Sequence, residues 1–169
     1  ARGVNTEGQC EVSDWSHMVS VKAGAHHSLG LREDGVVMAV GSNEDGQCDV
    51  EHWKDIVQIC TDSYISVGVT KDGHVLTAGS FAGSHTGKMD GETLLRDMGS
   101  WTDIKSVAVG TYCAAAGLKK DGTLVVAGTD IEQKIDGWEN VEQIQFAGST
   151  IVGLEADGTV RTVDLLSEV

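Results

Sequence analysis

The sequence predicts an all-β protein made of about four β-propeller blades, and three observations support this. Four tryptophans, Trp15, Trp53, Trp101 and Trp138, lie 38, 48 and 37 residues apart. An Asp-Gly pair follows each tryptophan after 19 or 20 residues. The runs between these markers are short and apolar, and none repeats apolar residues at helical spacing over three turns. A period near 40 residues made of strands is typical of propeller blades.

The first strand of each unit begins three residues after its tryptophan. Runs such as 18–21 and 56–59 alternate or stay apolar over about four residues, as strands do. The positions three and six residues after the tryptophan are apolar in every unit: Met18, Ile56, Ile104 and Val141, then Val21, Ile59, Val107 and Ile144.

A hairpin completes each unit. The second run ends in Gly-Leu or Gly-Val, and a third β-rich run follows the Asp-Gly pair. Asp-Gly between two such runs favours a tight hairpin turn, because this turn needs a positive φ. The pairs are Asp34-Gly35, Asp72-Gly73, Asp121-Gly122 and Asp157-Gly158. Each unit is therefore expected to contain three or four short antiparallel strands.

These markers divide the single repeat domain, residues 1–169, into blades at about 1–41, 42–79, 80–128 and 129–169. The third unit carries an insertion at about 80–95, which is interpreted as a longer loop or a replaced outer strand. One short helix is expected near Glu92 to Met98.

Composition excludes several classes of function. The 169 residues include 12 Lys and Arg against 26 Asp and Glu, a net charge of −14. Such a chain does not hold a phosphate backbone by counterion release, so neither nucleic acid nor an acidic membrane is an expected partner. The sequence contains no run of 18 apolar residues, about the length that a membrane-spanning helix needs. With 40% hydrophobic residues, the chain has enough apolar side chains for a core.

The repeat columns resemble a known family. The blocks at 23–31 (AGAHHSLGL), 34–35 (DG) and 43–48 (NEDGQC) are similar to repeats of the regulator of chromosome condensation family, in its bacterial form. This resemblance implies a β-propeller, with seven blades as the family norm. The present four repeats are then an arc, a fragment, a small ring, or one half of an eight-blade ring formed by two copies of the chain.

The family is functionally broad, since it includes a nucleotide-exchange factor for a small GTPase and secreted inhibitors of β-lactamase. The repeat length is closer to the inhibitor-type propellers. That resemblance implies a partner surface on one face, made by the loop after the first strand and by the Asn-x-x-Gly turn. The matching positions here are His26, His27, Tyr64, Tyr112, Asn43, Glu44, Asp45 and Phe81.

The remaining motifs indicate structure rather than chemistry. One tryptophan per repeat at fixed register is a packing signature, so Trp15, Trp53, Trp101 and Trp138 are expected between blades. No nucleophile–base constellation and no metal-ligand spacing of His or Cys is present, so no enzyme, metal or cofactor is predicted.

The leading hypothesis is a non-enzymatic protein-binding module that presents loops on one propeller face. The alternatives are a structural or assembly segment of a larger secreted or surface protein, and a regulator resembling the β-lactamase inhibitors or GTPase exchange factors. The partner is expected to be a protein, with a homo-oligomer that completes the ring as another alternative. A secreted or cell-surface bacterial location is favoured over a cytoplasmic one.

Overall fold

The computed structural model describes residues 3–80, 91–110, 114–128 and 135–164, which form four three-stranded antiparallel sheets and one helix. This is a partial propeller of about four blades. The sheets are called first to fourth in chain order. The elements are β1 (Met18–Ala23), β2 (His27–Arg32), β3 (Val37–Gly41), β4 (Ile56–Thr61), β5 (Ile65–Thr70), β6 (Val75–Gly79), α1 (Gly91–Gly99), β7 (Ile104–Gly110), β8 (Ala114–Lys119), β9 (Leu124–Ala127), β10 (Val141–Ala147), β11 (Thr150–Glu155) and β12 (Val160–Asp164).

Each sheet is an up-and-down meander of three consecutive strands. In the first sheet Val21 lies opposite Gly30 and Leu29 lies opposite Ala39, and the other sheets keep the corresponding pairing. Every first strand has a register shift just after its first residue, which places an extra residue there. Such a bulge turns the extra side chain outward. The residues concerned are Val19, Val57, Lys105 and Glu142, and all four are exposed.

The Asp-Gly turns form as predicted. The four turn glycines have φ between 81° and 94°, a region that favours glycine over other residues. The aspartate caps the turn, and Asp121 Oδ1 accepts hydrogen bonds from both the backbone N and the Oγ1 of Thr123, at 2.9 and 2.7 Å. These bonds hold the pKa of Asp121 below its ordinary value.

The hydrophobic core lies between consecutive sheets rather than inside one of them. Three apolar clusters fill the spaces between first and second, second and third, and third and fourth sheets. The first strands β1, β4, β7 and β10 contact each other in chain order. The second and third sheets therefore each pack one apolar face on the sheet before and the other on the sheet after, whereas the first and fourth sheets each pack on one described neighbour.

Each tryptophan packs on a glycine in the second strand of its own unit. A Cβ at Gly68 would lie 2.8 Å from the ring of Trp53, and Gly30, Gly117 and Gly153 hold the same relation to the other three rings. Trp53, Trp101 and Trp138 are 8, 8 and 9% exposed, whereas Trp15 is half-buried. The small residue of each second strand is thus explained by the ring that covers it.

The helix expected near Glu92 to Met98 is present as α1, Gly91–Gly99, which overlaps the end of the predicted insertion at about 80–95. Its Leu94 and Met98 are completely buried in the cluster between second and third sheets. Residues 81–90 of the predicted insertion lie outside the described residues.

Candidate protein-interaction face

The loops after the first strands and the turns after the third strands lie at the same end of the sheets. In the first sheet His27, at the start of β2, pairs with Gly41, at the end of β3. The backbone N of Ser42 donates to the carbonyl of His26 at 2.9 Å. In the second sheet the N of Ser80 likewise donates to the carbonyl of Tyr64, at 3.3 Å. We call this end, with residues 24–26, 42–47 and 62–64, the loop face.

His26 and Tyr64 occupy equivalent positions in successive units, eleven residues after their tryptophans. His26 is exposed and Tyr64 is half-buried. Both loops are closed by backbone bonds, from Gly24 N to the carbonyl of His27 at 2.9 Å and from Asp62 N to the carbonyl of Ile65 at 3.2 Å. The two loops therefore share one backbone frame and differ in the side chains they present.

The turn at 43–48 uses its asparagine internally. The Asn43 Oδ1 accepts from the N of Cys48 at 2.7 Å, and its Nδ2 donates to Asp49 Oδ1 at 2.8 Å. Asn5 does the same in the first unit, with Cys10 and Glu11. Glu44 is exposed and Asp45 is half-buried, so the acidic side chains are the ones left at the tip of this turn.

His27 is not part of the accessible surface. Its side chain is 1% exposed and its Nε2 lies 3.0 Å from the Oγ of Ser66 in the second sheet. Because Ser66 Oγ donates to the carbonyl of Gln47 at 2.7 Å, His27 Nε2 must be the donor to Ser66. Burial, and to a lesser extent the neighbouring His26, lowers the pKa of His27. His27 is thus a neutral bridge between two sheets.

Two other candidate residues, Tyr112 and Phe81, lie outside the described residues. In the fourth unit the first loop is a tight turn at Gly148 and Ser149, where Ser149 Oγ donates to Asp164 at 2.9 Å. The described part of the loop face is therefore carried by the first and second sheets.

Several residues that the sequence motifs did not single out hold the loop face in place. Gln47 is buried, its Oε1 accepts from Asp45 N at 3.0 Å, and Ser66 fixes its carbonyl. The first unit repeats this contact between Ser28 Oγ and the carbonyl of Gln9, at 2.9 Å. The repetition of Gly-Gln-Cys and of these serines at a spacing of 38 residues was the available signal.

Two observations concern the thiols and the potential metal ligands of the described residues. Burial raises the pKa of the thiols of Cys48 and Cys60, whereas an activated nucleophilic cysteine has a lowered pKa. Within the described ranges, no cluster of three His, Cys, Asp or Glu side chains is arranged to hold a metal ion. No helix among them is long and apolar enough to cross a membrane.

A sequence model for the "Regulator of chromosome condensation (RCC1) repeat" matches residues 18–47. These residues run from the start of β1 into the turn after β3. No curated protein matches the chain.

Solved structures show the same propeller architecture. Human WBSCR16 superposes with a TM-score of 0.66 at 18% identity, covering 89% of this chain and 48% of that one. Prp20p from Saccharomyces cerevisiae gives a TM-score of 0.64 at 16% identity, covering 89% and 46%. The CRINKLY WD40 ectodomain of the Arabidopsis thaliana receptor kinase ACR4 gives 0.64 at 17% identity, covering 88% and 51%. The chain therefore spans about half the length of these structures.

Proposed function

We propose that this chain is a non-enzymatic protein-binding module whose partner contacts the loop face. One observation carries the proposal. Successive units hold loops of the same backbone geometry at the same end of adjacent sheets, and those loops carry different side chains, His26 and Tyr64. A fixed frame with variable side chains is suited to recognition, because each loop can be read by the partner as a separate contact.

The frame lowers the entropic cost of binding. The loops are tied to the sheets through backbone bonds at Gly24, Ser42, Asp62 and Ser80, so little ordering is left for the moment of association. Tyrosine is enriched at the centre of protein interfaces, since it supplies contact area with few rotatable bonds. Tyr64 is accordingly proposed as an anchor, with His26 and Glu44 at its rim.

A structural relative supports a binding role for this architecture. The structure of yeast Prp20p is described together with its binding properties to Gsp1p and histones. At 16% identity the similarity transfers the fold and leaves the partner of the present chain open.

The test compares two double variants that change opposite ends of the sheets. His26→Ala with Tyr64→Ala alters the loop face. His74→Ala with Val36→Ala is the matched control, because it removes one exposed histidine and one exposed apolar side chain beside the Asp-Gly turns of the same two sheets. Each purified chain is immobilised, exposed to extract of the source cells, and its bound proteins are quantified by mass spectrometry.

We expect at least one protein bound by the wild type to be depleted about tenfold or more by the loop-face variant, as for loss of an interface anchor. The control should retain it. Equal retention by both variants, or equal loss from both, would contradict the proposal. Circular dichroism checks that each variant is folded.

A further inference from the structure

The three internal interfaces between sheets repeat one backbone hydrogen bond. The glycine carbonyl of each Asp-Gly turn accepts from the first residue of the next sheet's first strand. The bonds run from Ile56 N to Gly35 O at 3.2 Å, from Ile104 N to Gly73 O at 3.0 Å, and from Val141 N to Gly122 O at 3.0 Å. Each interface thus has a donor side and an acceptor side.

The same interfaces repeat one apolar contact. On the acceptor side lie residues of the second strand, and Leu29, Val67 and Ala116 are completely buried there. On the donor side lies the residue six positions after the tryptophan, and Ile59 and Val107 are 0 and 3% exposed. The donor side of one sheet therefore fits the acceptor side of the sheet before it.

The first sheet carries a donor side that no described residue covers. Val21 occupies the position of Ile59 and Val107 and is 64% exposed. The N–H of Met18, equivalent to that of Ile56, has no glycine carbonyl opposite it among the described residues. We call this surface the donor flank.

The fourth sheet carries the matching acceptor side. Val160 takes the place of Val37 and Val75, which are 5 and 4% exposed, and it is 61% exposed. Val152 and Leu154 are half-buried, although their equivalents are fully covered in the other sheets. Around Gly158 a Cβ would find no atom within 4 Å, whereas at Gly35 and Gly73 backbone of the next sheet lies 3.2 and 2.9 Å away. We call this surface the acceptor flank.

A glutamine adds polar complementarity between the two flanks. Gln58 Nε2 donates to the carbonyl of Val107 in the next sheet at 3.1 Å, and its Oε1 accepts from Val107 N at 3.2 Å. Gln143 occupies the position of Gln58 in the fourth sheet and is exposed. The residue equivalent to Val107 in the first sheet is Val21. The acceptor flank therefore holds the side chain, and the donor flank the backbone, of this same contact.

We propose that a second copy of this chain occupies these flanks, so that two copies close head to tail into a ring of about eight blades. The acceptor flank of each copy then docks on the donor flank of the other, and Gln143 of one copy pairs with Val21 of its partner copy. The new interface continues the three interfaces already present inside the chain. Eight blades lie within the range of known propellers.

Complementarity supports a second copy as the occupant, because each flank matches the surface that covers its equivalent inside the chain. The closed two-membered ring also leaves no flank open, in contrast to an endless head-to-tail chain. This inference goes beyond the binding role of the loop face, because it concerns other residues and a different partner.

The experiment measures solution mass by light scattering in about 0.15 M salt, where screening limits repulsion between two acidic chains. Val21→Asp and Val160→Asp each place a charge on one flank. Val19→Asp is the matched control, since Val19 is 63% exposed on the same strand and its equivalent Val57 stays 54% exposed inside the propeller. We expect twice 17.8 kDa for the wild type and for Val19→Asp. We expect monomers for the two flank variants.

A mixture sharpens the test. Val21→Asp keeps an intact acceptor flank and Val160→Asp keeps an intact donor flank, so an equimolar mixture should regain a dimer through one intact interface. A dimer built from two identical flanks would behave differently, because one of the two variants would then dimerise alone. Near-UV circular dichroism of the four tryptophans verifies folding, and Gln143→Ala, which should weaken the dimer several-fold, serves if either aspartate variant fails to fold.

Four results would overturn the proposal. They are a wild-type monomer, an open-ended series of larger oligomers, equal effects of Val19→Asp and Val21→Asp, or a mixture that remains monomeric.

Discussion

The interface between first and second sheets and the interface between second and third sheets use equivalent strands but are closed by different outer segments. The first is covered by an irregular turn segment, residues 42–53, with Val50 buried. The second is covered by α1, with Leu94 and Met98 buried. Val50 and Met98 both lie three residues before a tryptophan, and the carbonyl of each accepts from that tryptophan's N–H, at 3.0 and 3.1 Å.

The comparison shows which part of a blade is constrained. The three strands and the tryptophan keep their geometry. The outer segment needs only to place a buried apolar side chain three residues before the tryptophan. The two interfaces also differ in polarity. His27 joins the first and second sheets through Ser66, whereas Ile65, at the equivalent position in the second unit, is completely buried among apolar neighbours.

The largest expected effect compares how much the buried side chain of α1 and that of the turn segment 42–53 each contribute to the free energy of unfolding. Met98→Ala should lower the free energy of unfolding by about 2–5 kcal/mol, since it leaves a cavity in a dense core. Val50→Ala removes less apolar volume and should cost about 1.5–2 kcal/mol. Urea unfolding followed by tryptophan fluorescence measures both. A negligible cost for either variant would contradict the need for a buried apolar side chain three residues before the tryptophan, and a larger cost for Val50→Ala than for Met98→Ala would contradict the volume argument.

The next prediction concerns the pH dependence of the free energy of unfolding, which urea unfolding between pH 7.5 and 5.5 measures, and it tests the polar contact at the interface between first and second sheets. The pKa of His27 is lowered in the folded chain and is about 6.5 in the unfolded chain. The unfolded chain therefore binds the proton more readily, and acid favours unfolding. The stability linked to His27 is present above about pH 6.5 and is lost as the pH falls below it, by at most about 1.4 kcal/mol per pH unit. His27→Ile, which copies Ile65, should remove this part of the pH dependence.

The control for that measurement is His52→Gln, because the His52 side chain is 90% exposed. It should keep the wild-type dependence between pH 7.5 and 5.5. If His27→Ile kept it as well, the acid sensitivity would not arise at the first interface.

The smallest effect concerns the glutamine contact. Gln58 joins the second and third sheets, and Ser20, at the equivalent position of the first sheet, is too short to make this contact. Gln58→Ala should cost about 1 kcal/mol, the value of a partly buried hydrogen bond. Ser20→Gln should gain about 0.5–1 kcal/mol by reaching the backbone of Ile59. Thermal unfolding of both variants measures the difference, and a destabilising Ser20→Gln would mean that the first interface has no room for the side chain.

Sequence alone predicted the fold well, because its strongest signals are local and repeated. The tryptophan register, the apolar positions three and six residues later and the Asp-Gly turns each follow from backbone geometry within a few residues. The short helix expected near Glu92 to Met98 is present as α1. The loop-face residues stay a prediction, and Tyr112 and Phe81 lie outside the described residues.

Tertiary structure decided which residues are buried among those that the repeat pattern makes equivalent. Val21 and Ile59 are equivalent in sequence, yet one is 64% exposed and the other is fully buried. His26 and His27 are adjacent in sequence, yet one faces solvent and the other bridges two sheets. The sequence by itself determined the strands, the turns and the period, because local backbone preferences and apolar patterning fix these. Only the packing of one sheet on the next decided which equivalent residues are covered, because burial depends on the neighbour and not on the residue.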